Sequence, residues 1–216
     1  MPDLTQLALY FAAAFVLAVT PGPGIFYVAA RTLAGGRAEG VTSSLGTGLG
    51  GMVHVVAGSL GVSAIVLASA ELFTALKLIG AAYLVWLGLR TVRSARRDGS
   101  AGLNGGFTLP PIGLRRAFRE GVLVEALNPK TAAFFLAFVP QFVDPTDGHV
   151  AVQFMVLGFV SVAFNTLADI IVAFAAGRIR EGAAARPAVV RRLREASGAA
   201  MIALGIGLAL ARRPAN

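Results

Sequence analysis

The sequence contains no cysteine and few charged residues. It has 216 residues, of which 56% are hydrophobic and 14% charged, and its mean hydropathy is +0.73. Without cysteine there can be neither a disulfide nor a thiolate metal site. The apolar share is far above that of a soluble domain, so the composition predicts a protein that is surrounded by lipid.

Catalytic patterns are missing as well. A hydrolase needs a nucleophile beside a base, or a metal with at least three ligands. Only His54 and His149 are present, and neither HExxH nor GxSxG occurs. We therefore expect no enzyme, no cofactor and no resident metal. The net charge of +8 does not indicate nucleic-acid binding, because the arginines lie between apolar runs rather than on one face of a soluble domain.

Six apolar stretches are long enough to cross a bilayer, which takes roughly 20 residues. They lie between residues 3 and 31, between 39 and 71, and at 72–89, 121–142, 150–177 and 196–211. They predict an all-α integral membrane protein with one transmembrane domain, residues 1–216, and lipid as its neighbour. The sixth stretch is the shortest and spans only with snorkelling flanks or a thinned bilayer. Whether the chain forms a homo-oligomer stays open.

Basic residues predict the orientation. Fifteen arginines lie in the connections after spans one, three and five, against Lys77, Arg212 and Arg213 on the other side. Positive charge is retained in the cytoplasm. The first set is therefore expected inside the cell, with both termini outside, and the glycine-rich segment 99–112 is expected to be a cytoplasmic loop.

The loop divides the chain into halves of three spans each, residues 1–98 and 113–216. Because three is odd, any repeat between the halves must be inverted, a plan that many transporters share. The first span of each half carries a proline in mid-membrane, within Thr20-Pro21-Gly22-Pro23 and within Asn128-Pro129-Lys130. Matching interruptions of this kind indicate a binding site.

The residue types at both interruptions suit a broken helix. Proline fits the first turn of a helix, and Thr and Asn are favoured caps for the freed amides. Thr20-Pro21 and Asn128-Pro129 are therefore each expected to begin a second half-helix at mid-depth. The positive ends of the two half-helices would then face one region and stabilise an anion such as a carboxylate.

With these motifs the chain resembles the lysine exporter and homoserine/threonine resistance family of amino-acid exporters. The resemblance rests on the proline-containing stretch of span one, the glycine-rich span two, and Leu127-Asn128-Pro129-Lys130 with Phe134-Phe135 and Pro140-Gln141-Phe142. It implies export of amino acids or close derivatives across the bacterial cytoplasmic membrane, driven by the proton motive force. It also favours a substrate-binding role for Lys130.

Three further polar residues inside spans are candidates for proton coupling, since ionisable groups in a membrane usually face a cavity or a partner. Glu125 could pair with Lys130, or serve a substrate amine or a proton. Asp169 could carry the proton, share a network or cavity wall with Asn165, or form a salt bridge to Lys130. His54 lies in a row with Gly46, Gly50 and Gly58, which favours a hydrogen-bonded packing residue over a proton relay.

One other class of transporter stays open. Glu125, Asp169 and Asn128 offer oxygen ligands, so an exporter of cations or metal ions with the same membrane architecture is the alternative. The absence of cysteine makes soft metals unlikely cargo.

The predicted orientation can be tested by reporter fusions. Fusions after Arg97 or Arg186 should report the cytoplasm, because both follow strongly basic segments, and a fusion near Asp147 should report the outside. A fluorescent cytoplasmic reporter and a phosphatase that is active only outside give opposite signals. A cytoplasmic signal at Asp147 would contradict the six-span arrangement, and a fusion at Asn216 tests the sixth span separately.

Overall fold

The computed structural model describes residues 4–68, 70–97 and 110–182, together with isolated positions between 192 and 210. In that part of the chain the regular structure is helical and no strand occurs. The α-helices are α1 Leu4–Val19, α2 Pro23–Gly35, α3 Arg37–Ala68, α4 Ala70–Arg97, α5 Leu114–Ala126, α6 Pro129–Ala133 and α7 Val150–Gly182. A π-helical turn, Phe134–Phe138, and a 3-10 turn, Val139–Phe142, extend α6.

Both interrupted spans are bent within the proline motifs named above. The helices α1 and α2 meet at an angle of 43°, and α5 meets α6 with its extension at 42°. Each bend follows from the proline at the break, which supplies no backbone N–H and cannot continue the preceding helix. The beginning of α7 at Val150 agrees with the predicted fifth span.

Length and apolar character over the described residues allow one helix, Val150–Arg178, to cross a membrane by itself, and three spans if each bent pair counts as one. Most of the sixth predicted span, 196–211, and most of the loop 99–112 lie outside the described residues. The all-helical class is therefore confirmed, while the inverted six-span arrangement stays a prediction.

The closest helix packing joins α3 to α5 along glycines. A Cβ on Gly46 would collide with the carbonyl oxygen of Phe118, and one on Gly50 with that of Val122. From the other side, a Cβ on Gly121 would lie 2.7 Å from the carbonyl oxygen of Ser43. The two backbones can approach this closely only because these positions lack side chains. The row of small residues predicted for span two is thus confirmed as a packing face.

A buried aromatic core lies beside this face. The Tyr10 hydroxyl contacts the Leu157 carbonyl oxygen at 2.7 Å and the Ser161 hydroxyl at 2.6 Å, which joins α1 to α7. Phe134, Phe135 and Phe154 are buried next to it. Large apolar side chains cover the outer surface of α7, as suits a lipid neighbour: Val156, Phe159, Leu167, Ile171 and Phe174.

Glu39 fixes the beginning of α5. Its Oε1 accepts from the backbone N–H groups of Ile112 and Gly113, at 2.9 and 2.7 Å. Amides at the beginning of a helix have no partner within that helix, so a buried carboxylate from α3 supplies one. This contact sets the height of α5, and therefore of its break, relative to α3.

Candidate functional site

The break in the first span differs from the expectation by two residues. The second half-helix, α2, begins at Pro23 with Gly22 in extended conformation as its N-cap, rather than at Thr20-Pro21. The Thr20 hydroxyl instead donates back to the Val16 carbonyl oxygen at 2.5 Å. The reason is that Gly22 precedes a proline, which disfavours helical geometry there, so the helix can restart only at Pro23.

The break in the second half follows the expectation. Asn128 is the N-cap of α6, with Pro129 in the first turn, and its Oδ1 accepts from the backbone N–H of Lys130 at 3.0 Å. The predicted capping role of Asn128 is confirmed. Asn128 also donates through Nδ2 to Glu125 Oε2 at 2.9 Å, so one side chain serves both sides of the break.

Lys130 connects the two breaks. Its ammonium group is buried and donates to the carbonyl oxygens of Leu17 at 3.2 Å and Thr20 at 3.0 Å. In an unbroken helix the Leu17 carbonyl would accept from the N–H of residue 21, which Pro21 lacks. Lys130 therefore supplies a second donor to this carbonyl, which also accepts from the Thr20 N–H at 3.2 Å. It also places a positive charge at the negative end of α1.

His54 does the same at the other break. Its Nε2 lies 2.9 Å from the carbonyl oxygen of Glu125. That carbonyl would accept from residue 129 in an unbroken helix, but residue 129 is Pro129. It accepts instead from the Asn128 N–H at 3.0 Å, and His54 is its second partner. Since a carbonyl can only accept, Nε2 carries the hydrogen. The ring also stacks on Phe135, with centroids 6.1 Å apart. The hydrogen bond and the stacking agree with the interpretation of His54 as a packing residue, while a role in proton coupling stays a prediction.

The carboxylate of Glu125 occupies the position expected for a bound anion. Thr131 donates to its Oε1 at 2.5 Å, and Asn128 to its Oε2. On the opposite side, Oε2 lies 2.6 Å from where a Cβ on Gly24 would be, in the first turn of α2. The protein's own carboxylate thus lies between the two half-helix starts. The alternative pairing of Glu125 with Lys130 is not formed in the described structure.

Asp169 faces the same region from α7. Its Oδ2 lies 2.7 Å from the Thr47 hydroxyl. The alternative salt bridge between Asp169 and Lys130 is not formed within the described part of the chain. The Asn165 amide donates to the Ser161 carbonyl oxygen at 2.8 Å, so Asn165 and Asp169 share a cavity wall rather than a hydrogen bond.

A small, partly enclosed cavity lies between the breaks. The centre of a water-sized sphere can occupy about 10 Å³ of it, which is about the room that one water molecule needs. The polar groups on its wall include Thr47, Glu125, Asn128, Lys130, Asn165 and Asp169. The structure therefore brings together Glu125, Asn128, Lys130 and Asp169, whereas His54 contacts this cluster only through the Glu125 backbone.

Sequence reasoning missed Thr47 and Thr131, the hydroxyl partners of the two buried carboxyl groups. Thr131 could have been recognised, because it lies in the first turn after the Asn128 cap. Thr47 carried the weaker signal of a polar residue between two glycines, Gly46 and Gly48.

Comparison with known proteins agrees with this architecture. The chain matches the model of the LysE type translocators over residues 15–212. It is 32% identical to an uncharacterized membrane protein of Vibrio cholerae, over 97% of this chain and 99% of the other. It is 31% identical to the homoserine/homoserine lactone efflux protein of Salmonella typhimurium, over 94% and 95%. A leucine efflux protein of the same organism is 26% identical over 68% of each chain.

No solved structure matches the chain. A bundle of apolar helices with paired breaks around a buried polar cluster defines a multi-pass transporter of the bacterial cytoplasmic membrane, not an enzyme. The chain belongs to the LysE type translocator family.

Two glycine substitutions test how tightly Glu125 is held. Gly24→Ala should destabilise the protein, because its Cβ would displace Oε2 and weaken hydrogen bonds to a charged group, a cost of about 1.5–3 kcal/mol. Gly61→Ala should instead stabilise it by about 0.5–1 kcal/mol, since a Cβ there meets nothing within 4 Å and alanine favours the helix. Denaturant titration of the purified proteins in mixed micelles measures both. Equal effects of the two changes would contradict the geometry.

Proposed function

We propose that this protein exports amino acids or close derivatives from the cytoplasm in exchange for protons. Two curated relatives support the substrate class, since one is named for homoserine and homoserine lactone and another for leucine. These compounds differ in side chain, and the lactone has no free carboxylate, but all of them carry an amino group. The feature common to them is therefore a cationic ammonium beside a carbonyl carbon.

The observation that carries the proposal is the charge balance of the cavity between the breaks. It contains two carboxyl groups, Glu125 and Asp169, and one ammonium group, Lys130. When all three are ionised, one negative charge is left over in a water-poor site, which is costly. A substrate ammonium or a proton removes that imbalance, so the site suits either ligand.

Asp169 is the proposed point of exchange. Both oxygens of Glu125 already accept hydrogen bonds, from Asn128 and Thr131. Asp169 has one described partner, Thr47, and its Oδ1 is not hydrogen-bonded within the described structure. A carboxyl group cannot hold a proton and form an ion pair with an ammonium group at the same time. Protonation of Asp169 therefore releases the substrate, and binding of the substrate ammonium releases the proton. This competition is a physical basis for antiport.

The substrate-binding residues are those at the two breaks: Thr20, Pro21, Gly22 and Pro23 in one, and Asn128, Pro129 and Lys130 in the other. Lys130 can reach a substrate carboxylate only after its ammonium leaves the carbonyl groups of Leu17 and Thr20. A cavity with room for about one water cannot enclose an amino acid. The described arrangement thus leaves no room for the substrate, and the proposed transport requires the breaks to separate.

The paired breaks also support the proposed inverted repeat. Each half begins with a helix, a proline break and a second helix, and the bends of 43° and 42° are nearly equal. In each break a side-chain nitrogen from another helix contacts the carbonyl whose regular helical donor is replaced by proline, beside a backbone N–H that also reaches that carbonyl. Two halves of opposite orientation in the membrane place these features at the same depth.

Export from whole cells tests the proposal. Cells with and without the protein are loaded with dipeptides, and release of a panel of amino acids including homoserine and leucine is measured. At least one should leave faster with the protein. A parallel panel of divalent cations tests the alternative of a cation exporter, and release of cations alone would contradict the proposal.

Proton coupling is tested by Asp169→Asn. Uphill export should be lost because the amide cannot take up a proton, while exchange down a gradient persists. Asp144→Asn, which changes a carboxylate in the connection before α7, serves as the matched control and should keep full uphill export. If both Asp169→Asn and Glu125→Gln export uphill at the normal rate, neither carboxyl group carries the required proton.

A further inference from the structure

The Thr47 hydroxyl has more acceptors than it can serve. Thr47 is buried on α3, and its Oγ1 lies 2.9 Å from the carbonyl oxygen of Ser44 and 2.7 Å from Oδ2 of Asp169. A hydroxyl group has one hydrogen and two lone pairs. It can therefore donate fully to only one of these two oxygens at a time.

Each choice suits a different protonation state of Asp169. When the carboxyl group is ionised, Thr47 donates to Oδ2. When it is protonated, the carboxyl group can donate to Oγ1 while the Thr47 hydroxyl rotates toward Ser44. The Ser44 carbonyl lies inside α3 and keeps its helical partner in both cases. Only hydrogens move, and the distances between the heavier atoms can stay as they are.

We propose that Thr47 is the positioning residue that keeps Asp169 hydrogen-bonded both with and without its proton. A buried polar group that loses its partner costs about 1–3 kcal/mol. A partner that only donates would favour the ionised form of Asp169, and one that only accepts would favour the protonated form. A hydroxyl with a second acceptor nearby can either donate to Asp169 or accept from it. Asp169 therefore keeps a hydrogen bond in both its ionised and its protonated form. This inference rests on the proposed role of Asp169.

Other charged and titratable groups around α7 are already engaged. Glu125 of α5 and Lys130 of α6 also line the cavity. Glu125 accepts from Asn128 and Thr131, and Lys130 donates to the carbonyl oxygens of Leu17 and Thr20. Further groups on helices packed against α7 are bound elsewhere: His54 of α3 to Glu125 O, Tyr10 of α1 to Leu157 O, Tyr27 of α2 to Ala117 O, Arg31 of α2 to Pro110 O, and Glu39 of α3 to the N–H groups of Ile112 and Gly113. Arg37 of α3 lies against Gly177, further along α7. Thr47 is the described group whose hydrogen bond reaches Asp169 directly.

Infrared difference spectroscopy of the purified protein in lipid tests this without any substrate. Changing the pH should produce a carboxyl C=O band that is missing in Asp169→Asn. In Thr47→Val that band should shift in frequency, and its titration midpoint should move by about one pH unit. The move should be toward higher pH, because the ionised form loses the stronger of the two hydrogen bonds. Thr47→Ser keeps the hydroxyl and should behave like the unmodified protein.

Thr32→Val is the matched control. Thr32 is also buried, and its hydroxyl donates to a helix carbonyl, that of Val28, at 2.7 Å, without touching a carboxyl group. Its spectrum should be unchanged. An unaltered band in Thr47→Val, or an equal shift in Thr32→Val or Thr47→Ser, would overturn the inference. So would the absence of a titrating band at Asp169, whereas amino-acid export is judged separately by the cell assay. If Thr47→Val does not accumulate, Thr47→Ala is held to the same criteria.

Discussion

The contact between Lys130 and the carbonyl oxygens of Leu17 and Thr20 is the interaction on which the site depends. A helix that breaks within a membrane leaves backbone groups that neither water nor lipid can satisfy, so protein must do it. Pro21 removes a donor from one half of the chain, and Lys130 supplies one from the other. Lys130 thereby holds the two breaks in contact, since a side chain of one break binds backbone groups of the other.

The positions of the two carboxyl groups follow from that contact. Because Lys130 is committed to α1, Glu125 is held by Asn128 and Thr131 at the half-helix starts rather than by an ion pair. Asp169, on α7, then contributes the least-engaged acidic group of the cluster and the most suitable one for exchange. Because the one buried cation of the cluster is used for structure, one acidic group is left for the proposed proton exchange.

The sequence predicted both breaks, the Asn128 cap, the packing face around His54 and the beginning of the fifth span, since proline, capping and small-residue patterns act locally. It missed the beginning of α2 at Pro23, because both Pro21 and Pro23 could occupy the first turn of the second half-helix. The sequence also could not assign partners to Lys130, Glu125 and Asp169. Lys130 could form an ion pair with either carboxylate, and charge alone does not distinguish the two. The choice among these pairings depends on how α1, α3 and α5 are shifted along their axes relative to one another.

The most direct measurement of the central claim is a double-mutant cycle for Pro21→Ala and Lys130→Met, using the free energy of unfolding in mixed micelles. Alanine at position 21 restores an N–H for the Leu17 carbonyl, so removing the Lys130 ammonium should then cost less, with a coupling of about 0.5–3 kcal/mol. Pro21→Ala combined with His54→Phe, which affects the other break, should be additive. Additive effects of Pro21→Ala and Lys130→Met would contradict the account.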